Sequence, residues 1–196
     1  MNLPNKLTML RMAAIPFFIA CFYLPEWVML NIFGADILVK YFVAGVIFIL
    51  AYVTDTLDGN IARKRGLVTD FGKLMDPIAD KLLTAACMIM LIGRDLMSIL
   101  DWLMPLFTVI VMAREFLVSG IRLVAAGKGR IIAAGKLGKI KTTLQSIALP
   151  MVLIGGPMFR AIGVPLDFAA MAAAIVMTIW SGVDYAVRNK EVFSSR

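Results

Sequence analysis

Apolar residues fill six long stretches of this chain, each ended or interrupted by charged residues, glycine or proline. Periodicity and punctuation predict helices over roughly 6–24, 39–62, 72–93, 99–125, 137–155 and 164–187. Asn5 is placed to cap the first, and Pro16 in its interior is expected to bend it. Pro77 is expected in the first turn of the third helix, where proline is tolerated. The run Gly155-Gly156-Pro157 is expected to break the chain after the fifth. Residues 142–159 are uncharged over 18 positions, long enough to read as a span from hydropathy alone. Elsewhere the charges fall near proposed helix ends or in one acidic cluster, so six spans fit. The expected fold is an all-α integral membrane protein of six transmembrane helices, one domain over residues 1–196.

Composition strengthens that expectation. Hydrophobic residues make up 61% of the 196 positions, and mean hydropathy is +0.87. Soluble domains hold about 45–50% apolar residues, so little polar sequence is left here to cover a water-exposed surface. The net charge of +7 does not indicate nucleic acid, because Lys and Arg punctuate apolar segments and form no polar face. Lys6 and Arg11 precede an uncharged stretch as in a signal peptide, but no small-residue cleavage site follows, and a retained helix is expected. With six spans the termini share a side. That side collects Lys6, Arg11, Arg63, Lys64, Arg65, Lys73, Lys128, Arg130, Lys136, Arg188, Lys190 and Arg196, against Lys40, Arg94 and Arg160 opposite. Such a bias puts both termini, and the acidic cluster with them, in the cytoplasm. Cys21 and Cys87 lie in apolar runs without C-x-x-C spacing and read as inert buried thiols. Histidine is absent, so a general base must come from a carboxylate or another group.

The acidic cluster lies in Asp55–Asp80, DTLDGNIARKRGLVTDFGKLMDPIAD. Helical residues three or four apart share a face, which pairs Asp55 with Asp58 and Asp76 with Asp80. Two helices joined by a short basic loop, each offering two carboxylates, make an all-oxygen site for hard cations such as Mg2+ or Mn2+. Four carboxylates suffice for two such ions, which clamp the attacking and leaving oxygens of a phosphoryl displacement. Each Asp at membrane depth costs on the order of 3 kcal/mol, an expense hard to explain without a ligand. Gly59 and Gly72 allow close approach of a ligand or backbone, and Arg63 offers a planar fork to phosphate.

The spacing D-x2-D-G-x2-A-R-x8-G-x3-D-x3-D resembles the signature of the CDP-alcohol phosphotransferases throughout. These are membrane enzymes that move a phosphatidyl or similar group from a CDP-linked donor to an alcohol and release CMP. The resemblance implies Asp55, Asp58, Asp76 and Asp80 as ligands of two divalent cations, with Asp80 also the base that deprotonates the acceptor hydroxyl. It also implies Gly59, Ala62, Arg63, Thr69 and Gly72 at the CDP donor, and a homodimer in the bacterial cytoplasmic membrane.

A second, basic cluster bears on the acceptor. Arg114 and Arg122 stand eight residues apart in AREFLVSGIRL, about 80° around a helix, and can reach one pocket. Lys136, Lys139 and Lys141 follow in GKLGKIKTTLQ. A cation deep in a membrane helix is a functional candidate, and a dianionic phosphate is its natural partner. The bland readings are an ion pair of Arg114 with Glu115 or the aspartates, and contact of the lysines with anionic headgroups. These segments, like the opening N-P-N-x-L-T-x-x-R, are similar to those of family members that form phosphatidylglycerophosphate. That likeness implies CDP-diacylglycerol as donor and sn-glycerol 3-phosphate as acceptor, held by Arg114, Arg122, Lys139 and Lys141. A synthase using serine or inositol phosphate is the rival within the family; a divalent-cation transporter is the rival outside it. The last 50 residues carry no motif and read as lipid-facing or dimer-contacting helices, where Ala169–Ala174, Ser181 and Gly182 permit close packing.

Overall fold

The computed structural model describes residues 3–26, 29–32, 35–65, 70–130, 132–133 and 135–193, without the side chains of 3–7, 32, 55–65, 70–74, 76–77, 192 and 193. Among the described residues there are seven α-helices: α1 (Leu3–Cys21), α2 (Val39–Arg65), α3 (Asp70–Leu91), α4 (Met104–Gly127), α5 (Lys136–Pro150), α6 (Gly156–Ile162) and α7 (Leu166–Arg188). α1 lies against both α2 and α3, whereas α7 packs on α4 and α5. Phe18, Phe48, Met88, Met104, Val111, Leu149, Leu153 and Met171 are buried together between these helices. Phe18 stands edge-on to Phe22, with ring centroids 5.3 Å apart. Cys21 and Cys87 are buried free thiols, as their apolar settings suggested.

Several local expectations are corrected. α1 starts at Leu3, which puts Asn5 inside the helix; Pro4 suits a first turn that needs no N–H. α2 continues through Arg65, so Arg63, Lys64 and Arg65 belong to its last turn and not to a loop. α3 starts at Asp70, so Pro77 lies well inside it, leaving one helical hydrogen bond unmade. The Gly155-Gly156-Pro157 break does not occur. The chain passes through a widened π-helical turn, Met151–Gly155, straight into α6, with Pro157 in the first turn of α6 where its missing N–H does no harm.

The all-α expectation also misses a hairpin between α1 and α2. Strands β1 (Met29–Ile32) and β2 (Ala35–Leu38) pair antiparallel, Met29 opposite Leu38 and Ile32 opposite Ala35. Asn31 donates to Asp36 across the pair at 2.9 Å. Beside the hairpin, the hydrogen bond from Lys40 to Glu26, 2.6 Å long, holds that carboxyl below its usual range.

Two helical stretches, Lys136–Ile162 and Leu166–Arg188, are long and apolar enough to cross a membrane. Large apolar side chains also point outward elsewhere: Phe17 on α1, Leu50 on α2, Phe116 and Leu123 on α4 and Trp180 on α7 are all at least 60% exposed.

The connection from α3 to α4 is tied down at the end of the molecule near α6. Arg160 donates to both carboxylate oxygens of Asp95 (3.1 and 3.2 Å) and to the carbonyls of Asp95 and Met97. Asp167, fully buried, accepts from the Ser98 amide at 2.7 Å and from the Ser98 hydroxyl. Asp95, held by Arg160, lies at φ 51° and Leu100 further along the connection at φ 53°, a region that residues with side chains seldom occupy. Gly156 completes the joint, since a Cβ there would lie 1.7 Å from the Leu96 carbonyl oxygen. Gly156→Ala is therefore expected to destabilise the protein by about 3 kcal/mol or more. Thermal unfolding in detergent, followed by intrinsic fluorescence, measures that loss.

Candidate active site

α2 and α3 bring the acidic stretch to one end of the bundle. Asp55, Asp58, Gly59, Ala62 and Arg63 lie in the C-terminal half of α2, and Gly72, Asp76 and Asp80 in the N-terminal half of α3. The side chains of Asp55, Asp58, Ala62, Arg63 and Asp76, and all of Thr69, lie outside the described residues. Among the described residues no three His, Cys, Asp or Glu side chains form a metal-binding group. Asp80 is the described member of the tetrad, half-buried on α3. The four donors are all carboxylates, a set that fits a hard divalent cation.

Asp80 opens onto a cavity of about 390 Å3. Arg114 and Arg122 of α4 and Lys139 and Lys141 of α5 line the same cavity. Residues from two separate sequence clusters, one acidic and one basic, thus meet around one space. Lys136 is exposed and does not line it.

Arg114, Arg122 and Lys141 are held in place by neighbouring side chains. Arg114 donates from Nη1 to Glu115 Oε1 at 3.0 Å, and Lys141 Nζ lies 2.5 Å from the same oxygen. The ion pair that offered a bland explanation for Arg114 is therefore real. It does not satisfy the whole guanidinium, because Arg114 Nε is buried without a hydrogen-bond partner among the described residues. Arg122 donates to the Tyr185 hydroxyl at 3.1 Å, its guanidinium carbon 5.6 Å from the ring centroid.

Close backbone approach makes room for Arg114. A Cβ on Gly182 of α7 would lie 3.0 Å from Arg114 Cγ, and one on Gly138 of α5 would lie 3.4 Å from its Nη2. The guanidinium and its stem therefore pass between two glycines of different helices. A Cβ at Gly182 would crowd that stem, whereas one at Gly138 would only touch the guanidinium.

Several cavity residues escape a reading by motif. Lys81 of α3 donates to the Ser119 hydroxyl of α4, and that hydroxyl donates in turn to the Glu115 carbonyl at 2.7 Å. α7 supplies Ser181, Asp184 and Tyr185 to the wall, so the last 50 residues are not solely lipid-facing or dimer-contacting. The signal was present as a polar stripe, Thr178, Ser181 and Tyr185, along one face of an otherwise apolar helix. Thr178 also accepts a buried hydrogen bond from Gln145 of α5 at 3.3 Å.

Comparison with known proteins identifies the family. The model of the CDP-alcohol phosphatidyltransferase family matches residues 1–180. The chain belongs to that family. Its relatives include a protein of Bacillus subtilis (strain 168), 40% identical over 195 residues, covering 99% of this chain and 98% of the relative. Another, from Rickettsia bellii (strain RML369-C), is 38% identical over 193 residues, 98% of this chain and 97% of its own. A third, from Shigella flexneri serotype 5b (strain 8401), is 36% identical over 188 residues, 94% and 92% of the two chains. All three carry the name CDP-diacylglycerol–glycerol-3-phosphate 3-phosphatidyltransferase. The family match takes in both clusters and α7 as far as Trp180.

Proposed function

We propose that this chain transfers the phosphatidyl group of CDP-diacylglycerol to sn-glycerol 3-phosphate, giving phosphatidylglycerophosphate and CMP. One observation carries the reading: Asp80 of the acidic signature shares a cavity with Arg114, Arg122, Lys139 and Lys141. A carboxylate that can take a proton and four cations suited to a dianionic phosphate are the two requirements of a phosphorylated alcohol acceptor. The same cations argue against a path for divalent cations, which a wall of positive charge would repel. Serine carries no phosphate for this cluster to hold.

In the proposed mechanism Arg114, Arg122, Lys139 and Lys141 hold the acceptor phosphate and direct its free primary hydroxyl toward Asp80. Asp80 removes the hydroxyl proton as oxygen attacks the phosphorus of the donor, and CMP departs on the opposite side. Gly59, Ala62, Arg63, Thr69 and Gly72 are the proposed donor contacts; Gly59, Ala62 and Arg63 stand on α2 and Gly72 on α3. Asp55, Asp58, Asp76 and Asp80 would hold two divalent cations, Mg2+ or Mn2+, whose charge would neutralise the donor pyrophosphate.

The chain is proposed to form one domain of six membrane spans, with α5 and α6 together making the fifth. The outward apolar faces on α1, α2, α4 and α7 support a lipid surround. Both termini and the cavity face the cytoplasm, following the basic residues, and the protein is proposed to act as a homodimer.

CMP release tests the reading directly. Purified protein with CDP-diacylglycerol and Mg2+ is offered glycerol 3-phosphate, serine, inositol or inositol phosphate in turn. Turnover with glycerol 3-phosphate alone is expected, and turnover with a different acceptor instead would overturn the acceptor assignment.

A further inference from the structure

We infer that Glu115 is a positioning residue of the acceptor site, setting Arg114 and Lys141 side by side to receive the phosphate. The inference rests on the proposed acceptor and deepens it. Glu115 lines the cavity, yet its side chain is only 16% exposed. A single oxygen, Oε1, takes both the Arg114 Nη1 contact and the Lys141 Nζ contact, at 3.0 and 2.5 Å. Two cations from different helices are thereby drawn to one point, close enough together to converge next on one phosphate group. Left without that oxygen they would repel each other in a poorly solvated wall, since Lys141 is 4% exposed.

The backbone that carries Glu115 is tied to α3: its main-chain carbonyl accepts from the Ser119 hydroxyl, one turn later on α4, which also receives the Lys81 ammonium. Lys81 adjoins Asp80 on α3. A short chain of contacts thus runs from the helix of the proposed base, through Ser119 and Glu115, to the two cations. The carboxylate does not exhaust Arg114, whose Nε has no partner among the described residues. Its repulsion toward an incoming phosphate is offset by the two cations that it touches at hydrogen-bond distance. Positioning therefore outweighs competition.

Steady-state kinetics of Glu115→Gln, which keeps the shape and removes the charge, tests this. The KM for glycerol 3-phosphate is expected to rise about ten-fold or more, while kcat and the KM for CDP-diacylglycerol stay within about three-fold. Glu115→Asp, which restores the charge, is expected to recover part of that loss. In a Lys141→Met background the Gln substitution is expected to add less than it does alone, because one of its two partners is gone. An unchanged or lowered KM for glycerol 3-phosphate in Glu115→Gln overturns the inference. So does an equal loss toward both substrates, which marks a general structural role. Should Glu115→Gln not fold, Glu115→Asp with an acceptor KM equal to wild type overturns it instead. Wild-type turnover measured alongside separates the two readings. A wild type inert toward glycerol 3-phosphate removes the acceptor assignment and this inference with it; an active wild type with an indifferent Glu115 removes the inference alone.

Discussion

Asp80→Asn is expected to lower CMP release by at least about 100-fold at saturating donor, acceptor and Mg2+. The substitution exchanges an oxygen for a nitrogen of nearly the same size on a half-buried side chain of α3, so packing is preserved. It removes the negative charge that a proton acceptor needs, and an amide nitrogen is no metal ligand. The helix should stay intact, so elution from a sizing column and the unfolding temperature are expected to match wild type. Turnover within a few-fold of wild type, from protein that passes both checks, would exclude Asp80 as the base. The proton would then have to leave by way of a different carboxylate of the tetrad.

Arg114→Ala should raise the KM for glycerol 3-phosphate by about 30-fold or more, roughly 2 kcal/mol at the low end for losing a buried charged partner of a phosphate. The requirement for CDP-diacylglycerol should shift far less. Glu115 keeps its contact with Lys141 at 2.5 Å in this variant, so no carboxylate is stranded and the fold should hold. Titrating each substrate against a fixed excess of the other gives both constants. A rise confined to the donor would move Arg114 to the CDP side of the cavity. Lysine at this position restores the charge without the fork, and partial recovery by Arg114→Lys would separate the two contributions.

The bundle could be read from sequence because its signals are local and strong. Long apolar runs marked out six helical regions, and glycine and proline marked most of their ends within a few residues. What failed was weaker or depended on neighbours. The hairpin Met29–Leu38 has strands of only four residues, too short for alternation to stand out beside Trp27 and Val28. Pro77 was assigned to a first turn because propensity alone resists proline deeper in a helix; packing of α3 overrides that preference. The turn at Met151–Gly155 accommodates two glycines and Pro157 by widening, a choice that spacing does not reveal.

The site was legible in the same uneven way. Charged residues deep in apolar sequence stood out at once, and Asp80, Arg114, Arg122, Lys139 and Lys141 do line one cavity. Which partners fix them could not be read. Tyr185, Ser119 and Lys81 come from different helices; only the packing of α3, α4 and α7 brings Tyr185 and Lys81 to the wall and sets Ser119 against Lys81. Asp184, next to Tyr185, pairs with Arg188 at 2.7 Å and also lines the cavity, a position that no motif marks.

Gly182 has no functional group, yet the stem of Arg114 leans on it at a distance that a methyl would fill. The terminal helix thereby acts as the jaw of a vice, and its spacing from α4 sets how far the guanidinium reaches into the cavity. A catalogue of inactivating substitutions would then include positions bearing no acid, base or charge. Some of the enzyme's precision would reside in an absence of atoms, which drift at a residue without a functional group could erase.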